Sequence, residues 1–449
     1  MPVHSAPVSS PSTSLRVPLI AAVAIVIGNM IGTGVFGSLG FQAMALPAGF
    51  SILMLWLAGG ILAFCGAVHY AELAAAFPRS GGEYQLLSRI YHPGIGFVSG
   101  WVSMIAGFPA PVALLALMLG TNVCRAAGGE SLLVIRLLAA GIVVMVTGAH
   151  LISVAFSGRF QWLSTALKVL LILVLTVCGF VLSNGAGASL LPQPGETTLL
   201  SGKWDAIFQC LIYVLFAYSG WNAACYIAGE VENPQRNVPR ALLIGTGIVT
   251  VLYMLVNAAM LHATPMNELA ASGLDVSYVA ALHIFGPAGA AIMAGLIAIG
   301  LVSAISAMTW AGPRVSQQMG RDYPMLSFLA RTDDKGVPWL AVLLQSALAL
   351  GIIFTMDPQA IINSTEFLLQ IFLLLTVWGV VHLRMKQPDL PRPCRAWGYP
   401  YTTGLFLVMI AFTLAWMLRN RPDETRVGLG VLIVGIAGYF LAGPRRAEE

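Results

Sequence analysis

The chain has 449 residues, of which 58% are hydrophobic and only 9% carry a formal charge. Soluble domains carry about 25% charged residues, so this composition excludes an ordinary soluble domain and indicates an integral membrane protein. The net charge of +4 is too small to indicate a nucleic-acid partner. The six cysteines show no metal-ligand spacing, and we expect neither a metal site nor a cofactor.

Apolar stretches of about 20 residues can cross a bilayer as helices. The sequence predicts twelve of them, which makes the fold class an all-α integral membrane protein. They cover residues 17–44, 49–77, 95–123, 131–150, 157–184, 204–229, 239–263, 278–311, 338–355, 360–385, 400–419 and 426–443. The first and eighth spans are long enough to be tilted, broken or extended beyond the membrane. Residues 1–16 and 444–449 are predicted to be cytoplasmic tails.

The distribution of basic residues predicts the orientation of these spans. With the N-terminus inside, the inner loops and tails hold 16 Lys and Arg residues and the outer loops hold 6. Because cytoplasmic loops carry an excess of Lys and Arg, both termini are predicted to be cytoplasmic. The expected location is the cell membrane, the inner membrane of a bacterium.

Two spans contain a helix-breaking sequence at their centres. The first is Gly28-Asn29-Met30-Ile31-Gly32-Thr33-Gly34-Val35-Phe36, and the second is Phe216-Ala217-Tyr218-Ser219-Gly220-Trp221-Asn222. Unwound backbone at membrane depth is tolerated only where it is buried in protein or lines a cavity. Paired interruptions in corresponding positions of two halves indicate the binding site of a transporter.

The spacing of the two breaks predicts an inverted repeat. Five spans form the first unit (17–184) and five form the second (204–385), so the second unit enters the membrane in the opposite direction. The last two helices (400–443) are then appended. A competing arrangement of two parallel six-helix halves predicts related features in spans 1 and 7, but span 7 lacks the Gly-x-Gly interruption.

Backbone groups at the breaks can bind both charged groups of an amino acid, so the protein needs no charged side chain there. N–H groups after the first break suit a carboxylate, and carbonyl groups before each break suit an ammonium group. The predicted substrate-binding residues are Met30, Ile31, Gly32, Thr33, Gly34, Phe216, Ser219 and Gly220. The structural alternative for Gly32 and Gly34 is close packing of helices.

A lysine lies in the middle of the fifth span, at Lys168. A lysine at mid-membrane costs about 2.5–3.5 kcal/mol or more, which makes it a functional candidate. It could act as a fixed cation where a sodium ion would lie, or it could carry a proton. The alternative is a lysine that extends to the membrane interface.

Charged residues after spans 2 and 6 are candidates for a cytoplasmic gate. Arg79 and Glu83 follow span 2, and Glu230 and Arg236 follow span 6. Ion pairs among them would form the gate, whereas the alternative is a solvated loop with turn-forming residues. The sequence contains no Walker, HExxH, GxSxG or Rossmann motif, so we do not expect an enzyme.

Several short motifs in sequence order resemble the amino acid–polyamine–organocation superfamily, in particular its L-amino-acid transporter branch and bacterial relatives. They are Ile31–Phe36, Pro78–Tyr84, Phe216–Asn222, Glu232–Ala241, Ala311–Arg314 and Gly320–Asp322. The resemblance implies the sodium/leucine-transporter-type fold, alternating access and amino acid substrates. It also implies that Thr33 and Gly34 bind the substrate carboxylate and that carbonyls of Met30, Phe216 and Ser219 bind its amine.

The resemblance assigns further roles to single residues. Phe216 corresponds to an outer gate. Lys168 implies sodium independence and links the first span to span 8, near Ser306 or Thr309. In animal members of the branch, a cysteine near the position of Cys124 bonds to a single-span partner, but for this chain we expect a free thiol and no heavy-chain partner.

Two positions depart from the family pattern, and the first is Thr33, which stands where serine is usual and adds a methyl group. Ser219 stands where many carriers of large neutral amino acids have glycine, so the pocket should be smaller. No acidic residue is expected near either break, which argues against cationic substrates. The expected function is sodium-independent exchange of small neutral L-amino acids. The alternatives are a proton-coupled symporter with Lys168 as proton carrier, a carrier of larger neutral amino acids, a channel and a sensor.

Overall fold

The computed structural model describes residues 17–126, 129, 131–152, 156–183, 185, 187–194, 202–334 and 336–443, and the two predicted tails lie outside this part of the chain. The described residues form seventeen α-helices. They are α1 (Leu19–Met30), α2 (Thr33–Ala45), α3 (Gly49–Ala76), α4 (Gly82–Ile90), α5 (Pro93–Val102), α6 (Pro109–Ala126), α7 (Leu132–Ile152), α8 (Phe156–Val181), α9 (Trp204–Tyr218), α10 (Ala223–Tyr226), α11 (Pro234–Ala263), α12 (Met266–Ser272), α13 (Val276–Asp322), α14 (Trp339–Thr355), α15 (Pro358–Lys386), α16 (Tyr401–Asn420) and α17 (Pro422–Leu441).

Ten helical stretches in the described part are long and apolar enough to cross a membrane. The first of them runs over both α1 and α2. Two shorter apolar helices, α9 and α14, lie where the sixth and ninth spans are predicted. The prediction of an all-α, multi-pass membrane protein is therefore confirmed.

Two predicted spans differ in detail from the helices observed. The third span is interrupted by a π-helical turn, Ser103–Gly107, in which the Phe108 N–H bonds to the Ser103 carbonyl. Pro109 follows at once, and a proline cannot donate the next helical hydrogen bond. The eighth span continues to Asp322 and is kinked at Gly286, whose φ of 70° is a left-handed value that favours glycine.

The two predicted breaks are present in the helices. α1 ends at Met30 and α2 begins at Thr33, and Ile31 and Gly32 between them have non-helical backbone angles. α9 ends at Tyr218 and is followed by a turn in which Gly220 has a φ of 93°. Each break leaves N–H and carbonyl groups without helical partners.

Close packing brings the two breaks together. A Cβ atom built on Gly34 would lie 2.3 Å from the Cα atom of Ala217, so the first turn of α2 packs directly on the end of α9. A Cβ atom on Gly220 would lie 3.0 Å from the Asn29 carbonyl oxygen. Gly34 therefore has the close-packing role that was the structural alternative for it, and this packing also places the two breaks side by side.

The start of α1 lies against the segment that follows the second break. The Val17 N–H donates to the Glu230 carbonyl at 2.8 Å, and the Glu232 N–H donates to the Val17 carbonyl at 2.9 Å. These two hydrogen bonds hold the entrance to α1 and the exit from α10 on the same face of the molecule.

Candidate functional site

Tyr253 of α11 connects the two helix breaks. Its hydroxyl group donates to the carbonyl oxygen of Met30 at 2.5 Å and lies 3.2 Å from the carbonyl oxygen of Ala217. The side chain is fully buried, and its ring meets that of Trp56 edge to face. No sequence pattern marked this tyrosine, because it lies in an uninterrupted apolar span.

The carbonyl groups that are predicted to bind the ammonium differ in their present hydrogen bonds. The Met30 carbonyl is held by Tyr253, and the Phe216 carbonyl accepts the Ser219 N–H at 3.0 Å. Of the carbonyl groups predicted to bind the ammonium, that of Ser219 has no hydrogen-bond partner among the described residues. Phe216 itself is buried in the main apolar cluster.

Lys168 of α8 reaches the end of α1. Its ammonium group donates to the carbonyl oxygens of Gly28 and Ile31, each at 3.1 Å, and the side chain is only 1% exposed. Helix α1 frees these carbonyls because it stops at Met30. The positive charge thus lies at the negative end of a helix dipole, which is a favourable position for a cation. Lys168 does not extend to the membrane interface.

The predicted link from Lys168 to Ser306 or Thr309 is corrected by the structure. The Ser306 hydroxyl pairs with the His150 ring at 2.8 Å, and the Thr309 hydroxyl donates to the Ile305 carbonyl at 2.8 Å. Lys168 instead meets α13 at Gly300, where an added Cβ atom would lie 3.4 Å from the lysine Cγ atom. Gly300 lies about two helical turns before Ser306 and Thr309 on α13. The small residues of this span repeat too evenly for the sequence to indicate which of them faces Lys168.

A cavity lies beside the second break. It encloses about 90 Å³, and its wall includes Asn29, Ser219 and Gly220 from the two breaks. Met30, Ile31, Gly32 and Gly34 are not among the described residues that line it. Most of its remaining wall is apolar or aromatic. These residues include Val102, Phe108, Pro111, Trp221, Tyr226, Ala307, Met308, Trp310, Ala311, Leu369, Phe372 and Leu373.

Glu83 of α4 also lines this cavity, which corrects the expectation that no acidic residue lies near either break. Its carboxylate accepts hydrogen bonds from the Tyr70 hydroxyl at 2.9 Å, from the Asn222 amide and from the Tyr226 hydroxyl at 2.5 Å. Three donors satisfy most of its hydrogen-bonding capacity. Glu83 therefore fixes the turn after the second break, and it is not an unpaired negative charge in the cavity.

A second cavity of about 400 Å³ adjoins the first, and Tyr226 and Trp310 line both. The wall of this vestibule contains Glu230 and Arg314. The Arg314 guanidinium donates to Glu230 at 2.8 Å and lies 3.8 Å above the Trp310 ring. This ion pair therefore connects α13 to the segment after α10.

These contacts show partners for two of the predicted gate residues. Glu230 pairs with Arg314, and Glu83 is bound by hydroxyl and amide groups. Arg79 and Arg236, the predicted gate arginines, are exposed. Arg314 lies within one of the family motifs, but an ion pair between residues 84 positions apart cannot be assigned from sequence.

A cavity between two discontinuous helices, within a bundle of membrane-spanning helices, defines a membrane transporter. Comparison with known proteins agrees. The family model described as amino acid permease matches residues 18–439. The chain belongs to this amino acid permease family, within the amino acid–polyamine–organocation superfamily, and it is therefore an amino acid transporter and not an enzyme.

Individual relatives cover nearly the whole chain. The large neutral amino acids transporter small subunit 2 of Mus musculus is 30% identical over 439 residues, which are 95% of this chain and 80% of that protein. The serine/threonine exchanger SteT of Bacillus subtilis (strain 168) is 29% identical over 446 residues, 96% of this chain and 98% of that protein. The cystine/glutamate transporter of Homo sapiens is 28% identical, with 95% and 85% covered.

Proposed function

We propose that this protein is a sodium-independent exchanger of small neutral L-amino acids that works by alternating access. The observation that carries this proposal is the contact of the Lys168 ammonium with the Gly28 and Ile31 carbonyls. Carbonyl groups at an unwound helix end are typical ligands of a coupling sodium ion in transporters with broken helices. A lysine at these carbonyls places a positive charge where such a sodium ion would lie, so a sodium ion is not needed.

The proposed architecture is twelve spans arranged as an inverted repeat of five plus five, followed by α16 and α17. The contact between Gly34 and Ala217 supports it, because the arrangement requires spans 1 and 6 to cross at their breaks. The hydrogen bonds of Val17 support a common side for the start of α1 and the exit from α10. We assign this side, and both termini, to the cytoplasm of the cell membrane.

The proposed substrate site uses the backbone of both breaks. The N–H groups of Thr33, Gly34 and Val35 open the first turn of α2 and would receive the substrate carboxylate. The Ser219 carbonyl would receive the ammonium group. The side chain of Thr33 lies outside the described part and has no assigned role.

Neutral and small substrates fit the character of the cavity. Its wall is mainly apolar, its one carboxylate is bound by three donors, and about 90 Å³ is below the 300–1,000 Å³ of typical drug-sized sites. Two relatives are named for serine/threonine exchange and for large neutral amino acids, and both names describe uncharged side chains. Ser219, at the end of α9, is our candidate for the residue that limits side-chain volume.

We further propose that the transporter works without a heavy-chain partner. One relative is named as a small subunit, so a partner subunit has to be considered for this chain. Cys124, at the predicted position of a linking cysteine, is free and only 4% exposed. A buried thiol is poorly placed for an intermolecular disulfide.

Transport by the purified protein in liposomes tests this function. We expect labelled alanine uptake to require internal amino acid and to be equal in sodium and choline buffers. A panel of the twenty amino acids should show competition by alanine, serine, glycine and cysteine ahead of leucine and phenylalanine. Uptake that needs sodium, or accumulation driven by a pH gradient without internal amino acid, would contradict the exchange mechanism. Stronger competition by leucine would contradict the small-substrate assignment.

A further inference from the structure

A buried carboxyl group on α15 has no role in the site described above. Glu366 is 2% exposed and lies eight residues after Pro358, about 12 Å from the helix start. Ionisable side chains at this depth are costly and mark functional positions. Glu366 lies within the tenth predicted span, residues 360–385.

The hydrogen bonds of Glu366 satisfy only one of its two oxygens. The Gln370 amide nitrogen donates to Oε1 at 3.2 Å, and the Gln370 amide oxygen is held in turn by the Thr413 hydroxyl at 2.6 Å. This second bond orients the amide with its nitrogen toward Glu366. The other oxygen, Oε2, is buried and has no partner among the described residues.

Glu366 faces a small cavity that shares a wall with the substrate cavity. The small cavity encloses about 30 Å³. Ser219, Trp221, Leu369 and Leu373 line both cavities. The carboxyl group is therefore separated from the proposed substrate site by the turn of the second break and one face of α15.

Among the described residues that line the cavity at Glu366, none carries a positive charge. The cavity wall comes from α3, α9 and α16, through Leu62, Ala63, Leu215, Tyr218, Phe406 and Ile410. Tyr218 is the titratable member of this set, and its hydroxyl lies toward Gly60 of α3. From α17, Gly428 packs beside Phe367 and Leu368.

The charged groups that meet α15 elsewhere have other partners. At its outer turn, Asn363 donates to Glu424, and Arg421 reaches Asn363 through Gln209. At its inner end, Arg384 pairs with Glu72. Glu83 lies on the other cavity and is bound by its three donors.

These surroundings favour a neutral carboxylic acid. An ionised carboxylate buried without a cation and with an unpaired oxygen costs far more than a neutral acid with one unpaired group. A proton on Oε2 removes the charge and needs no extra space.

We propose that Glu366 is a proton-binding site beside the substrate cavity, and that the transport cycle requires its protonated form. Deprotonation would place an uncompensated charge behind Ser219 and Trp221, at the turn that must rearrange during alternating access. This inference rests on the exchange activity proposed above and adds pH dependence to it.

Exchange of labelled alanine at equal pH on both sides of the liposome membrane tests the inference. We expect the wild-type rate to fall from mildly acidic to mildly alkaline pH, approaching about tenfold per pH unit once the proton is lost. Glu366→Gln, an uncharged isostere that keeps an acceptor for Gln370, should hold the acidic rate across the range. Glu424→Gln is the matched control, since it makes the same change on α17 at a carboxylate that contacts Asn363 of α15, and it should keep the wild-type pH profile.

Three results would overturn the inference. They are a flat wild-type profile, a Glu366→Gln profile that falls as the wild type does, and competition by lysine or ornithine that disappears in Glu366→Gln. The last result would make the carboxylate a binding site for a cationic substrate. Absence of exchange at every pH in the wild type would instead contradict the proposed function.

Infrared spectroscopy provides a measurement that does not depend on a folded variant. Wild-type protein at neutral pH should show the C=O stretching band of a protonated carboxylic acid, and the band should weaken as the pH is raised. Absence of this band in the wild-type protein would overturn the inference even if Glu366→Gln failed to fold.

Discussion

The hydroxyl group of Tyr253 donates to the carbonyl oxygen of Met30 at 2.5 Å, so a side chain of α11 fixes the end of α1 at the first helix break. The same hydroxyl lies 3.2 Å from the carbonyl of Ala217, near the second break. One residue outside both breaks therefore holds their relative position.

Tyr253→Phe should destabilise the protein and slow exchange. The change leaves two buried carbonyl oxygens without their donor, which costs about 1–3 kcal/mol. Thermal unfolding in detergent and alanine exchange in liposomes measure the two effects. Tyr278→Phe, on the exposed surface of α13, is the control and should behave as the wild type. Equal unfolding temperatures for the two variants would contradict the bridging role.

Gly34→Ala should disrupt the contact between the two breaks. The new methyl group would lie 2.3 Å from the Ala217 Cα atom, and backbone must shift to admit it. Overpacking of this kind costs about 1–3 kcal/mol, and we expect exchange to be lost. Gly148→Ala is the matched control on α7, where an added Cβ atom meets nothing within 4 Å. That control should gain up to about 1 kcal/mol in helix stability, and the same gain for Gly34→Ala would refute the close contact.

Lys168→Met should slow exchange at least about tenfold, a barrier increase of about 1.4 kcal/mol. Methionine retains much of the apolar stem but leaves the Gly28 and Ile31 carbonyls without a cation. The rate of alanine exchange is the measurement. Lys203→Met, at the exposed N-cap of α9, removes the same charge without a buried contact and serves as the control. A Lys168→Met rate equal to the wild type would remove the lysine from the mechanism.

How far the sequence predicts this structure depends on whether an interaction is local. The two breaks are predicted because glycines interrupt apolar spans, and Lys168 is predicted because a charge inside a span is rare. The same rule applies to Glu366, which lies inside the tenth predicted span. Glu366 was therefore identifiable from sequence.

Other parts of the site depend on packing that no local pattern encodes. Tyr253 is one aromatic residue among many in an apolar helix, and its role arises from where α11 meets α1. The partner of Glu230 is Arg314, because the packing of α13 places it beside the exit from α10. The contact of Lys168 with Gly300 depends on the rotation of α13, whose small residues repeat too evenly to fix a register.

The ion pair between Glu230 and Arg314 should contribute modestly to stability. Both side chains are partly exposed, at 46% and 27%, and such pairs contribute about 0–1 kcal/mol. A double-mutant cycle with Glu230→Gln and Arg314→Gln, measured by unfolding, should give a coupling energy in this range that shrinks at high salt. A parallel cycle of Glu230→Gln with Arg236→Gln should give no coupling. Coupling to Arg236 in place of Arg314 would restore the pairing predicted from sequence.

Ser219→Gly should widen the range of substrates. Ser219 lies at the end of α9 and lines both the substrate cavity and the cavity at Glu366. Loss of its hydroxymethyl group therefore enlarges the substrate cavity. A difference of one methylene group in a pocket is worth about 1–3 kcal/mol. Leucine should therefore inhibit alanine exchange at about tenfold lower concentration in this variant, while alanine itself competes as before. Ser306→Ala is the control, because its hydroxyl pairs with His150. If leucine inhibition is the same in Ser219→Gly and the wild type, another residue sets the size limit.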